Sequence, residues 1–225
     1  MPGQTRSVYW VVSIALGLCA AAANALVMRL PYHVPMGLYL DTVFTVAVTF
    51  LGGLIPGLIS AACTTLINGI AYTLINGEPY FWAWYLFMLC SIAAALFVRL
   101  FARIFPDECN GLLLSAGEPY RVKNGKGLLL VMLATLSLVL CIGMSIAGGL
   151  VAAFIFMLGG ESPADIHPEI WFSLGLDRQG YNVLVSEILG RIPINLTDRP
   201  VAVFGGFGIA LLVKKLYCSI NTGIR

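Results

Sequence analysis

The sequence predicts an all-α integral membrane bundle of about six transmembrane helices, forming one domain over residues 1–225 with both termini cytoplasmic. Three observations predict it. Hydrophobic residues make up 59% of the 225 positions and charged residues only 11%, against about 25% charge in a typical soluble domain. The mean hydropathy is +0.90, more apolar surface than one soluble core of this length can hide but not more than lipid can cover. Finally, the charges that do occur gather in the segments between long uncharged runs.

Taken in order, the first uncharged run covers residues 8–28, close to the roughly 20 residues that cross a bilayer. Arg6 ahead of it and the small residues from Ala20 to Ala25 loosely fit a signal peptide, but the run is long for one and continues past the small residues. Leu18 before Cys19 is too large for a lipoprotein site, so the segment is read as a retained span. The next uncharged stretch, 42–77, holds almost two spans and is broken at Gly52-Gly53-Leu54-Ile55-Pro56-Gly57, where glycine and proline punctuate a helix. It is read as helices over about 34–51 and 55–75. A fourth span covers 80–98. A fifth lies within 127–160, long enough to tilt or protrude. A sixth covers about 197–213.

Orientation follows the positive-inside rule. Arg99, Arg103, Arg121, Lys123 and Lys126 lie between spans four and five, Arg6 lies at the amino end, and Lys214, Lys215 and Arg225 lie at the carboxyl end. With six spans all three segments share one side. The remaining basic residues, Arg29, Arg178, Arg191 and Arg199, then face outward. A net charge of +2 is too small to suggest nucleic-acid binding. The six cysteines, Cys19, Cys63, Cys90, Cys109, Cys141 and Cys218, lack metal-ligand spacing and read as small buried apolar residues.

Polar groups concentrate on the outer face. The stretch 159–195 contains Glu161, Asp165, His167, Glu169, Trp171, Asp177, Arg178, Tyr181, Asn182, Glu187 and Arg191. Residues 182–189 read as either a short amphipathic helix or the outer start of span six. Asp198 and Arg199 sit in the first turn of the expected last span, as a cap with a local ion pair or as groups facing a substrate; Pro200 is tolerated there. Asp41 is an acid inside an expected span near its outer end, explained by function, by interfacial placement or by pairing with Arg29. Asn68, Tyr72 and Asn76 form a polar stripe on span three, for helix contact or pocket lining. Tyr80, Phe81, Trp82, Trp84 and Tyr85 suit an interfacial belt, with one or two available to stack on a planar ligand. Ser13, Gly17, Ala21 and Ala25 on span one, and Cys141, Ser145, Gly149 and Ala153 on span five, form small-residue ridges for close helix approach. The sequence has no phosphate loop, HExxH or GxSxG, so no enzymatic activity is expected.

Two stretches carry a family resemblance. One is Val34-Pro35-Met36-Gly37-Leu38-Tyr39-Leu40-Asp41-Thr42-Val43, leading into the Gly52–Gly57 break and on to Asn68. The other is Ile194-Asn195-Leu196-Thr197-Asp198-Arg199-Pro200-Val201. They resemble, respectively, the LD[ST] segment and the N-x-x-D-K/R opening of the last helix in substrate-binding S components of energy-coupling factor (ECF) transporters. That resemblance implies a membrane-embedded capture subunit for a vitamin or other micronutrient in the cytoplasmic membrane of a prokaryote. It implies a transmembrane coupling subunit and two ATPases as partners, with ATP consumed by those partners and no cofactor in this chain. By the same resemblance, substrate-binding residues are expected at Asn195, Asp198, Arg199, Glu187, Arg191 and Trp84, and a docking ridge at Gly17, Ala21 and Ala25, where Gly17 replaces an alanine. The alternative is a sensory or scaffold module acting through a separate signalling partner. Related modules precede kinase domains in some sensor proteins, and with the sequence ending at Arg225 no such domain is expected here.

Overall fold

The computed structural model describes residues 2–29, 38–116, 119–122, 125–159 and 168–223. Lipid offers no hydrogen bonds to a backbone, so the chain must satisfy its own N–H and C=O groups within helices. All regular structure among the described residues is accordingly helical: α1 (Pro2–Val27), α2 (Val43–Gly52), α3 (Leu54–Asn76), α4 (Met88–Ile104), a short α5 (Pro106–Cys109), α6 (Lys126–Met157), α7 (Pro168–Arg178) and α8 (Val183–Gly223). Five segments, Ser7–Val27, Leu54–Asn76, Trp82–Ile104, Lys126–Met157 and Val183–Ile220, are long and apolar enough to cross a membrane. The protein is an all-α membrane bundle.

Three of the expected boundaries need correction. The helix anticipated over 34–51 begins only at Val43; residues 38–41 have no regular structure, and 34–37 lie outside the described residues. Leu40 adopts φ 51°, which a right-handed helix cannot contain, and its N–H is bound by a side chain instead. At ten residues, α2 is about 15 Å long, half of a bilayer core. The last span begins at Val183 rather than Thr197 and runs unbroken through Pro193 and Pro200. Asn182 starts it: its Oδ1 accepts the Leu184 N–H at 2.8 Å, a side-chain cap. Asp198 and Arg199 therefore lie mid-helix, and their capping role is withdrawn. The outer stretch also contains α7, which the sequence reading did not anticipate.

The break between α2 and α3 falls where expected. Gly53, at φ 85°, takes a conformation that glycine adopts without penalty. The fourth span starts as a 3₁₀ turn, Trp82–Phe87, and continues as α4 to Ile104, six residues beyond the expected end. Asp41 is thus outside any helix.

Packing follows side-chain size. Val46 and Phe50 of α2, Val98 of α4, Leu136 and Leu140 of α6, and Val203 and Phe207 of α8 form one buried core. Gly206 lets α8 press on α2: a Cβ there would stand 2.7 Å from the Val43 carbonyl oxygen. At the end bearing Arg99, Arg103, Lys126 and Lys215, residues 106–116 fold against the bundle. There Leu112 is fully buried, and the buried Lys214 Nζ donates to the Leu113 carbonyl at 2.6 Å. This is called the basic end below. All six thiols are free; Cys90, Cys109 and Cys141 are buried, whereas Cys19 is exposed, against the expectation for it.

A buried charge cluster as candidate functional site

Helical spacing builds the site. In a continuous α8, Glu187, Arg191, Asn195 and Arg199 recur every fourth residue and stand in one file. Sequence reading had allowed residues 182–189 as the outer start of this span, which they are, but had left Arg191 and Asn195 in the outer stretch and Arg199 in a first turn. The file faces α6 and the irregular segment before α2.

Arg199 is the centre, 2% exposed. Its Nη2 pairs with Asp198 Oδ2 at 2.6 Å and with Asp41 Oδ1 at 3.1 Å. Its Nη1 donates to Thr42 Oγ1 at 2.8 Å and its Nε to Asn195 Oδ1 at 3.2 Å. Asn195 in turn donates to Ser145 Oγ of α6 at 3.0 Å. Asp198, fully buried, accepts the Leu40 N–H on Oδ1 at 2.9 Å. The carboxylate thus supplies the bond that a helix would have given Leu40, which is why the chain can stay irregular there. Burying charge is tolerable only when it is paired and hydrogen-bonded, and four partners on the guanidinium meet that condition. Asp41 pairs with Arg199, where the sequence reading had offered Arg29 as one possible partner.

About two turns further from the basic end than Arg199, Arg191 donates to Tyr39 Oη at 3.3 Å and to Glu187 Oε2 at 3.4 Å. Its guanidinium lies 5.4 Å from the centre of the Phe87 ring, within cation–π range. Gly148 of α6 gives it room. Asp41 and Glu187 are the open members, with side chains 23% and 22% exposed. When ionised, three carboxylates and two guanidiniums face one another across this site. Such an arrangement can hold a polar or charged ligand by ion pairs and oriented hydrogen bonds.

Five of the six anticipated binding residues, Asn195, Asp198, Arg199, Glu187 and Arg191, therefore come together. Trp84 belongs to a neighbouring aromatic group: its ring is 5.8 Å from Tyr72, 5.1 Å from Tyr80 and 6.0 Å from Phe81, edge to face in each case. The 3₁₀ turn joins the two regions through Phe87. Tyr72 therefore packs against aromatics, and Asn68 donates to Met28 Sδ of α1 at 2.8 Å, so the polar stripe on α3 divides between two neighbours. His33, Glu161, Asp165 and His167 lie outside the described residues.

The ridge on α1 is occupied from within. Ala21 is fully buried and Ala25 5% exposed; a Cβ at Gly17 would lie 2.6 Å from Ile59 Cγ2 of α3. Gly17, Ala21 and Ala25 thus seat α1 on its own chain, and a partner cannot reach them while that packing holds. Next to the ridge lies a group that sequence reading missed. Asn24, fully buried, accepts the Phe44 N–H on Oδ1 at 2.9 Å and donates to Thr45 Oγ1 at 2.9 Å and Thr64 Oγ1 at 3.3 Å. Thr45 also shares a 2.8 Å bond with Ser60. An asparagine inside an otherwise apolar run was the available signal.

Comparison of the chain with protein-family models, with curated proteins and with solved structures returned no match in any of the three, and function is read from the residues and their geometry.

Proposed function

We propose that the protein is the substrate-capture subunit of an ATP-driven importer of the ECF type, taking up a vitamin or other micronutrient. One observation supports this above others. The two stretches that carry the resemblance, Tyr39-Leu40-Asp41-Thr42 and Asn195-Leu196-Thr197-Asp198-Arg199, lie 157 residues apart from Thr42 to Arg199 and meet at the Arg199 guanidinium. On this reading the membrane is that of a prokaryote, and the positive-inside rule favours the basic end facing the cytoplasm. The charge cluster then sits in the outer half of the bundle, where a capture site belongs. ATP would be consumed by two partner ATPases. Because Gly17, Ala21 and Ala25 are covered by α3, the coupling subunit is assigned to the exposed side of α1, where Val11, Val12 and Leu26 lie.

The test is purification from native membranes in mild detergent. A coupling subunit, two ATPases and a bound small molecule identified by mass spectrometry are expected. Asn195→Ala should weaken binding of that molecule about tenfold, the loss of one good buried hydrogen-bonding group. Recovery of the chain with neither ATPases nor ligand would overturn the proposal; undiminished affinity in Asn195→Ala and Asp198→Ala would remove both residues from the pocket.

A further inference from the structure

A second site lies away from the charge cluster, on the lipid side of the bundle near the basic end. A groove of about 390 Å³ runs between Leu54, the first residue of α3, and the face of α4 formed by Ala93, Leu96, Phe97 and Leu100, closed by Arg99 and Arg103. Positions 93, 96, 97, 100 and 103 share one helical face, which explains why a continuous apolar furrow ends in basic groups. Arg99 is half-buried in it and Arg103 is exposed. Neither guanidinium has a hydrogen-bond or ion-pair partner among the described residues. A cation at the edge of hydrocarbon is costly without a counter-charge, and the anion at hand in a bilayer interface is a lipid phosphate.

We infer that this groove binds one anionic phospholipid. Its phosphodiester is held between Arg99 and Arg103, and one acyl chain lies along Ala93, Leu96 and Phe97 towards the bilayer centre. The volume falls in the range of small-ligand sites, and basic pockets between transmembrane helices on the cytoplasmic side recognise anionic headgroups. Two guanidiniums match a lipid carrying net negative charge. A zwitterionic lipid would bring an ammonium group into the same place, against the charge of the arginines.

Native mass spectrometry of the whole chain, titrated with phosphatidylglycerol or phosphatidylcholine, tests this. Phosphatidylglycerol should bind at least tenfold tighter. Each basic group near a membrane surface contributes about fivefold, so Arg99→Gln/Arg103→Gln should lose roughly thirtyfold. Arg99→Lys/Arg103→Lys, which keeps the charge, should retain most of the affinity. Arg121→Gln/Lys126→Gln, removing equal charge elsewhere at the same end, should change it less than twofold. Ala93→Trp should weaken binding by filling the furrow, and excess inorganic phosphate should not displace the lipid. Equal binding of the two lipids, equal loss in the two glutamine pairs, or displacement by phosphate would each overturn the assignment.

Discussion

Replacing Arg199 with methionine keeps most of the side-chain volume and removes the charge, which isolates the electrostatic role of this residue. The substitution strips four partners, Asp41, Asp198, Thr42 and Asn195. Hydrogen bonds to charged groups contribute about 1.5–3 kcal/mol each, but loss of the guanidinium also relieves its own desolvation. What remains is the cost of leaving the fully buried Asp198 without its counter-ion, about 3–5 kcal/mol for a broken buried pair. For a chain of this size that corresponds to a fall in Tm of roughly 6–20 °C, measurable by thermal unfolding in detergent. Removing the carboxylates as well should help, because a buried network replaced as a unit is often nearly neutral. Arg199→Met/Asp198→Asn/Asp41→Asn is therefore expected to recover at least half of the loss, a coupling that separate sites would not show. The reasoning fails if Arg199→Met lowers Tm by less than about 3 °C, or if the triple variant is no more stable than the single one.

Two glycines on α8 should respond oppositely to alanine. At Gly206 the new methyl meets the Val43 carbonyl at 2.7 Å and Val46 Cγ1 at 2.8 Å, whereas at Gly208 nothing lies within 4 Å. Overpacking should cost Gly206→Ala about 1–3 kcal/mol, and Gly208→Ala should gain about 0.5–1 kcal/mol from helix propensity, both read from Tm. Asn24→Ala should leave the Phe44 N–H without its acceptor and take one donor from Thr45 and Thr64, costing about 1–3 kcal/mol; hydrogen exchange at residues 43–46 should quicken, and unchanged exchange would mean that Asn24 does not hold the start of α2. At the basic end, burial, reinforced by Glu108, pushes the Cys109 thiol up from 9.0 to about 12, and burial with Glu108 and Cys109 pushes Tyr120 from 10.0 to about 12. Groups that hold their protons longer when folded stabilise the fold fully below the unfolded value and lose that stabilisation as pH rises towards the folded one. Stability should therefore fall between about pH 9 and 12, and Cys109→Ala should flatten that decline in a series of melts across alkaline pH.

Much of the bundle was legible because lipid-facing runs announce themselves by length. The expected 55–75 became Leu54–Asn76, and the run within 127–160 became Lys126–Met157. Hydropathy failed where polar residues are buried against protein rather than exposed to water. Glu187, Arg191, Asp198 and Arg199 look like a loop and a helix end to any window that equates charge with solvent, yet they are interior positions of α8. Pro193 and Pro200 lie inside α8, where neighbouring groups in a membrane helix can take up the freed backbone. For α2 the error ran the other way: the run leading into Thr42 is apolar enough for a helix, but the Leu40 N–H is claimed by Asp198 and the Asp41 and Thr42 side chains by Arg199, residues far away in sequence. The same distance hid Tyr39, Thr42, Ser145 and Phe87 as partners. Trp84 was expected from the resemblance and its place at the outer end of span four, and neither distinguishes the aromatic group that contains it from the charge cluster beside it.

Two buried polar groups of the bundle serve one segment from opposite sides. Asp198 and Arg199 of α8 hold Leu40, Asp41 and Thr42, and Asn24 of α1 holds Phe44 and Thr45. Their energies are unequal. The α8 side is charged and buried, on the order of 3–5 kcal/mol to break, and the α1 side is neutral, about 1–3 kcal/mol. A ligand that competes for Arg199 or Asp41 would therefore act on the stronger of the two anchors, exchanging an internal ion pair for one of its own. Unlike a pocket remote from the backbone break, this arrangement makes occupancy of the site and the conformation of residues 38–42 a single equilibrium, because the guanidinium that would receive a ligand is also the group that fixes the chain.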